Sequence, residues 1–343
     1  MSFRSWASVI TLLLLALVIY FSWPEIVRAK ELLGQVNLWI LALLIPVQIL
    51  VYFAAGEMVF SYLRRKKAIS HIPPAEQGIM ALELNFVNHT LPSAGVSGIS
   101  YMTWRLSKLG ISPARATAAQ LVRYVTGFAA FVALLIVALI AITLDGEINR
   151  GMILISGLIV TFMIGGTIGL VFIVGSQRRI ERFAAWATRT INLVVRKLTL
   201  GKRKRVIKSR VIIEFFTEIH DEYLILRRDR KSLLAPFLWG LAFNALDVLL
   251  FVITFWALGT PVNPAPILIA YGLASIAGFI VITPGGAGAY EAIMVSFLAT
   301  AGIPAGTAIA GILLTRIAVL AGTIILGYLF YQRTLLKYGR AKS

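Results

Sequence analysis

Long apolar runs constrain this 343-residue chain more than any other feature of it. A bilayer's hydrocarbon core is about 30 Å thick, and an α-helix needs about 20 apolar residues to cross it. Runs of that kind lie at roughly 6–22, 38–60, 114–143, 151–175, 233–258 and 304–331. Only 14% of the residues are charged and 59% are apolar, whereas a soluble domain carries about 25% charged residues. A soluble enzyme and a disordered basic tail are thereby excluded, and the absence of Cys excludes a disulfide scaffold. The first run has the look of a signal peptide, since only Arg4 precedes it. No small-x-small cleavage site follows, and Ser22-Trp23-Pro24-Glu25 marks a bilayer exit, so the run is read as an anchor, with cleavage as the minor alternative.

The net charge of +18 is at odds with such an apolar chain until the charges are placed. Arg64, Arg65, Lys66 and Lys67 follow the second run, sixteen Lys or Arg lie between 177 and 231, and Arg333, Lys337, Arg340 and Lys342 end the chain. The alternate connections hold only Arg28, Lys30 and Arg150, and 260–266 holds no charge. A cytoplasmic N-terminus puts every basic block in the cytoplasm, which is the positive-inside bias. The chain is thus expected in the plasma (bacterial inner) membrane, with both termini cytoplasmic. Within 177–231, Ile212, Phe215, Phe216, Ile219, Tyr223 and Leu226 recur at helical spacing, as do Phe183, Trp186, Ile191, Val194 and Leu198 less regularly. These read as two amphipathic helices on the cytoplasmic face, joined by the basic turn Gly201–Arg205 near anionic headgroups. RNA binding is the rival reading, but the segment has no aromatics interleaved with its basic residues and no nucleic-acid motif.

Two apolar stretches do not read as spans. Residues 77–110 carry Gly78, Glu83, Asn85, Asn88, His89, Pro92, Gly95, Gly98 and Arg105, and residues 267–302 carry Pro284-Gly285-Gly286-Ala287-Gly288 at their middle. A helix over 77–91 is about 22 Å long, too short to cross. Broken backbone at membrane depth is tolerated only inside protein or beside a wet cavity. Both stretches are therefore expected to be helix–break–helix hairpins that enter and leave on one side, which also keeps every basic block cytoplasmic. Pro92 precedes Gly110 by eighteen residues, as Pro284 precedes Gly302, and Arg123 and Arg316 follow in the next spans. The expected fold is an all-α integral membrane protein of about six spans and two re-entrant hairpins, arranged as an inverted-topology repeat. Its parts are an anchor and outer connection (1–36), a first repeat (37–175, hairpin 77–110), a cytoplasmic amphipathic segment (176–232) and a second repeat (233–343, hairpin 267–302).

Charges at mid-bilayer cost several kcal/mol and ask for a reason. Glu57, Glu83, Arg105, Arg123, Asp247, Glu291 and Arg316 lie within spans or hairpins. One reading is structural: acids and arginines pair and pin the two halves together. The other is functional. Arg123 and Arg316 hold equivalent places in the two repeats, and a guanidinium suits a lipid phosphate through bidentate hydrogen bonds. Backbone N–H groups at the Pro-Gly breaks add anion-binding character. Glu291 and Asp247 then hold the arginines, bind a cationic headgroup or carry a coupling proton. Asn88 and His89 cap the first break or line a cavity, with a proton relay as the alternative for His89. No second His or Cys accompanies His89 in the membrane, so no metal site is expected, and no P-loop or nucleophile elbow occurs.

These residues resemble the flippase-type membrane domain of the lysylphosphatidylglycerol synthase family. Asn88-His89-Thr90-Leu91-Pro92 through Gly98 to Arg105 is similar to the family's first motif. Thr283-Pro284-Gly285-Gly286-Ala287-Gly288 with Glu291 is similar to its second, and Arg316 matches the arginine of the following helix. The chain has Gly98-Ile99-Ser100 where relatives often carry a carboxylate, so the headgroup read here differs if that acid reads it. The resemblance implies movement of a lipid between leaflets. It leaves about ten residues after the last span, so the aminoacyl-transferase domain is expected to be absent and the chain not to be an enzyme. The expected substrate-binding residues are Arg123, Arg316, Glu291, Asp247, Asn88, His89, Pro92, Thr283, Pro284, Gly285, Gly286, Tyr290 and Arg105. No cofactor is expected. The expected partners are anionic or phosphate-bearing membrane lipids, a homodimer stays open, and nucleic acid is not expected. A small-solute or ion transporter on the same scaffold, or a membrane adaptor for a lipid-modifying enzyme, are the alternatives.

Overall fold

The computed structural model describes residues 36–90, 96–145, 150–198, 229–280 and 289–338, with single positions at 20, 23, 27, 34, 210, 213, 216, 217, 220 and 224. Among them every regular element is a helix. In chain order these are α1 (Leu38–Leu41), α2 (Leu44–Arg65), α3 (Pro74–Thr90), α4 (Val96–Ser107), α5 (Pro113–Asp145), α6 (Arg150–Val174), α7 (Gln177–Leu198), α8 (Leu234–Ala257), α9 (Pro264–Ile280), α10 (Ala289–Thr300) and α11 (Ala305–Tyr338). The protein is an all-α membrane protein: Leu38–Arg65, Arg115–Ala141, Arg230–Ala257 and Ala305–Tyr338 are long and apolar enough to cross a bilayer. The expected 151–175 span is the 25-residue α6, and the 6–22 run lies outside the described residues.

Residues Met1–Gly157 with Ala235–Ser343 form one compact unit and Leu158–Leu234 another. In the first, local chemistry sets the helix boundaries. Pro74, Pro113 and Pro264 open α3, α5 and α9, at the position where a missing N–H costs nothing. The hairpin helices α3 and α9 thus begin three residues before the expected boundaries of 77 and 267. Asn37 caps α1 through its side chain at 3.0 Å from the Trp39 N–H. Gly110 (φ 84°) and Gly302 (φ 85°) stop α4 and α10 in the left-handed region open to glycine. The Ile111 N–H donates to the Leu106 carbonyl at 3.1 Å, and the Ile303 N–H to the Leu298 carbonyl at the same distance.

The two short-helix pairs match in length. α3 and α9 have 17 residues, α4 and α10 have 12, and α5 and α11, which follow them, have 33 and 34. At 1.5 Å per residue, the 12-residue helices are about 18 Å long, well short of the hydrocarbon core. Within each pair the helices pack on each other: α3 on α4, and α9 on α10. The chain enters and leaves the first pair at one place, because the His71 ring just before α3 bonds the Leu109 carbonyl just after α4 at 2.9 Å. The second helix of each pair packs on the long helix that follows it, α4 on α5 and α10 on α11. The first helix of each pair instead packs on the long helix of the other half, α3 on α11 and α9 on α5.

Glycine notches let these helices approach. A Cβ on Gly327 of α11 would meet Phe86 Cβ of α3 at 2.4 Å, and one on Gly272 of α9 would meet the Phe131 ring of α5 at 2.5 Å. On α8, a Cβ at Gly240 would fall 3.0 Å from Ala130 Cβ, and Asn244 Nδ2 donates to the Gly127 carbonyl at 3.4 Å, which fixes α8 against α5. The Asn37 N–H donates to the Ala257 carbonyl at 2.9 Å, so the start of α1 and the end of α8 share one face of the unit.

In the other unit, α7 separates its residues by face. Ile180, Ala184 and Ala187 are buried, and the Phe183 ring lies 5.2 Å from that of Phe216. Trp186 and Leu193 are exposed.

Candidate functional site

The polar residues of the first unit sort into two groups by burial. In one, Arg105 is 1% exposed and Glu83 0%. Glu83 accepts from the Tyr101 hydroxyl at 2.8 Å, from Arg105 Nε at 3.3 Å, and from the Thr334 hydroxyl of α11. Arg105 also pairs with Glu76 and lies over the Tyr338 ring at 4.5 Å. This sealed network ties both arms of the first hairpin to the end of α11. Glu57 pairs with Arg64 of the same helix, whose side chain is 44% exposed.

The other group gathers side chains from five helices. Arg316 of α11 pairs with Glu291, and the two side chains are 23% and 14% exposed. Glu291 stands in the first turn of α10, where the helix N-terminus favours a carboxylate. The Arg316 guanidinium lies over the Tyr290 ring at 4.7 Å, a cation–π contact that helps hold it. The Tyr290 ring is edge-on to Tyr271 of α9 at 6.4 Å, and Tyr271 in turn packs against Phe131 at 6.1 Å and Phe251 at 6.4 Å. Asp247 of α8 lies close enough to the Tyr271 hydroxyl and to His89 to interact with both. His89, in the last turn of α3, feels both Asp247 and Arg316 and is itself accessible. Its Nδ1 sits 2.9 Å from the Asn85 carbonyl. A carbonyl only accepts, so Nδ1 carries the proton and Nε2 is the nitrogen left to accept one.

Of the remaining expected residues, Asn88 packs against the second arm of the hairpin: a Cβ on Gly98 would come 2.1 Å from its Oδ1. That oxygen is buried without a hydrogen-bond donor among the described residues. Arg123 lies over the Tyr124 ring at 5.6 Å, and its buried Nη1 has no partner among the described residues. No described contact joins it to Arg316. Pro92, Thr283, Pro284, Gly285 and Gly286 lie outside the described residues. Tyr271 is a site residue that sequence reasoning missed. Its signal is slight: a hydroxyl in a helix whose sequence is otherwise almost wholly apolar. Among the described residues no group of three or more His, Asp or Glu could hold a metal.

The arrangement offers a guanidinium, partly exposed and fixed by a carboxylate and an aromatic ring, near an acid and an imidazole. It can bind an anion and can exchange a proton. A family model described as the lysylphosphatidylglycerol synthase TM region matches residues 5–327. No curated protein and no solved structure matches the chain.

Proposed function

The chain belongs to the family of lysylphosphatidylglycerol synthase transmembrane regions, and we propose that it is a translocase that moves a phosphate-bearing lipid between leaflets. The lipid is a phospholipid or a polyprenyl-phosphate carrier. Its headgroup passes between two inverted repeats while its acyl chains stay in the bilayer. The observation that carries this reading is the convergence on Arg316. Its carboxylate partner and the Tyr290 ring come from the second hairpin, while His89 comes from the end of the first hairpin's α3. A guanidinium has five N–H donors in a planar fork whose geometry matches a phosphate. Its partial exposure distinguishes it from the sealed Arg105.

The inverted repeat rests on the matched helix lengths, the twin glycine stops and the exchanged packing of the first hairpin helices. Repeats related in this way place a substrate site at their interface, near broken helices. The reaction is binding and movement without covalent chemistry. The protein sits in the plasma membrane with its basic blocks on the cytoplasmic side.

The test is reconstitution into proteoliposomes with fluorescent phosphatidylglycerol and an impermeant reductant that bleaches the outer leaflet. The parent should make the inner-leaflet probe accessible. Arg316→Ala should slow this at least tenfold while keeping the parent's elution profile and Tm. A folded Arg316→Ala protein that works at the parent rate would remove Arg316 from the site. Uptake of a water-soluble solute with no lipid movement would replace the translocase by a solute transporter.

A further inference from the structure

Each buried or half-buried acid in the hairpins and spans described above has an arginine, with one exception. Glu57 has Arg64, Glu83 has Arg105, and Glu291 has Arg316. Asp247 forms no ion pair with Lys or Arg among the described residues. The groups near enough to interact with it are His89 from α3, Tyr52 from α2, Tyr271 from α9 and Tyr290 from α10, none of them a fixed cation. Arg316 interacts with His89 and the Tyr290 ring and is paired with Glu291. A fixed cation beside a carboxylate locks it as an anion, whereas an imidazole and phenols leave its charge free to change. Structural pairing accounts for the first three acids and does not account for the fourth.

We infer that the protein couples lipid movement to a proton, held by Asp247 and His89 and taken up together with the lipid phosphate. This rests on the translocase reading above. The coupling follows from charge. A phosphate arriving at Arg316 brings negative charge next to His89, and that favours protonation of the His89–Asp247 pair. By linkage, the proton favours phosphate binding to the same extent. The proton goes to His89 Nε2 or an Asp247 oxygen, no covalent bond of the lipid changes, and a monoanionic headgroup crosses with its charge cancelled. Cancellation matters because an uncompensated charge in the hydrocarbon core is costly. Arg316 with Glu291 forms a neutral cradle, and the neighbouring acid–base pair supplies the charge that varies.

The experiment uses full-length protein in proteoliposomes with fluorescent phosphatidylglycerol, the membrane potential clamped with potassium and valinomycin, and a pH step of either sign. The expected result is a parent rate at least fivefold faster when the side of lipid entry is the more acidic. Asp247→Asn and His89→Gln should lose that dependence, and Asp247→Glu should keep it. Where Asp247→Asn moves no lipid, proton uptake on adding phosphatidylglycerol to the detergent-purified protein, read with a pH dye in weak buffer, decides. The parent should take up protons and the variant should not. A parent that moves lipid at one rate in both gradients overturns the coupling and leaves the translocase reading intact. A gradient response or proton uptake that survives in folded Asp247→Asn overturns the assignment to this pair. A parent that moves no lipid under any gradient overturns the translocase reading, and this inference with it.

Discussion

Among the described residues, intramembrane charges of one type have sharply different surroundings. Arg105 and Arg316 are both arginines in apolar helices, each with a carboxylate partner. Arg105 is 1% exposed and Arg316 23%. Sequence spacing gives each residue's position along its helix but not what packs over it, so the two look alike until the helices are assembled. The energetic consequence is testable. Glu83→Ala removes the carboxylate that faces Arg105, Tyr101 and Thr334 together, and leaves a buried cation short of a partner. Breaking a buried pair costs about 3–5 kcal/mol, so the variant should show a much lower Tm in detergent. Glu57→Ala acts on a pair whose arginine is 44% exposed, and such pairs contribute about 1 kcal/mol or less. Its Tm should stay near that of the parent. Equal losses in the two variants would contradict the division into a sealed and an exposed pair.

Among the elements, the hairpins depend on contacts between their own arms. Gly98 and Asn88 form one such contact across the first break, where the missing Cβ makes room for the Asn88 amide. Gly98→Ala should therefore lower the Tm, and Asn88→Ala added to it should recover part of the loss. The measurement is a double-mutant cycle on the thermal midpoint, in which additive losses would deny the contact. Much of this level is legible in the sequence. The Pro and Gly residues that begin and stop the helices act locally, through a missing N–H or a permitted φ, so their effect needs no partner. The turn after each hairpin could be read from Gly110 and Gly302 for that reason. The packing of α3 on α11 and of α9 on α5 could not, because it depends on which apolar surfaces meet. Apolar surfaces in a bilayer carry little directional information beyond their shape. The Phe86–Gly327 and Phe131–Gly272 notches record that shape.

For the whole molecule, the chain's lack of native cysteine makes topology directly measurable. Ser70 lies beside the Arg64–Lys67 block, and Thr260 follows the Gly259 turn at the end of α8. In intact spheroplasts an impermeant maleimide should label Thr260→Cys and not Ser70→Cys, and permeabilisation should expose the latter. The reverse pattern would invert the proposed orientation. Asn37 contacts Ala257 among the sparsely charged connections, and His71 contacts Leu109 beside the basic block.

By itself the sequence determined that the chain lies in a membrane, that it is helical, which prolines and glycines bound its helices, and where its charges are segregated. Those properties follow from transfer free energy and from backbone chemistry, which act on each segment separately. Only the tertiary structure decided that Arg105 is buried while Arg316 is partly exposed, that His89 and Asp247 come within electrostatic range although 158 residues apart in sequence, and that Tyr271 interacts with both Asp247 and Tyr290. Each of those outcomes depends on distances between helices that share no local sequence. Such distances are set by the fit of side chains into glycine notches, not by the hydropathy that puts the helices in the bilayer.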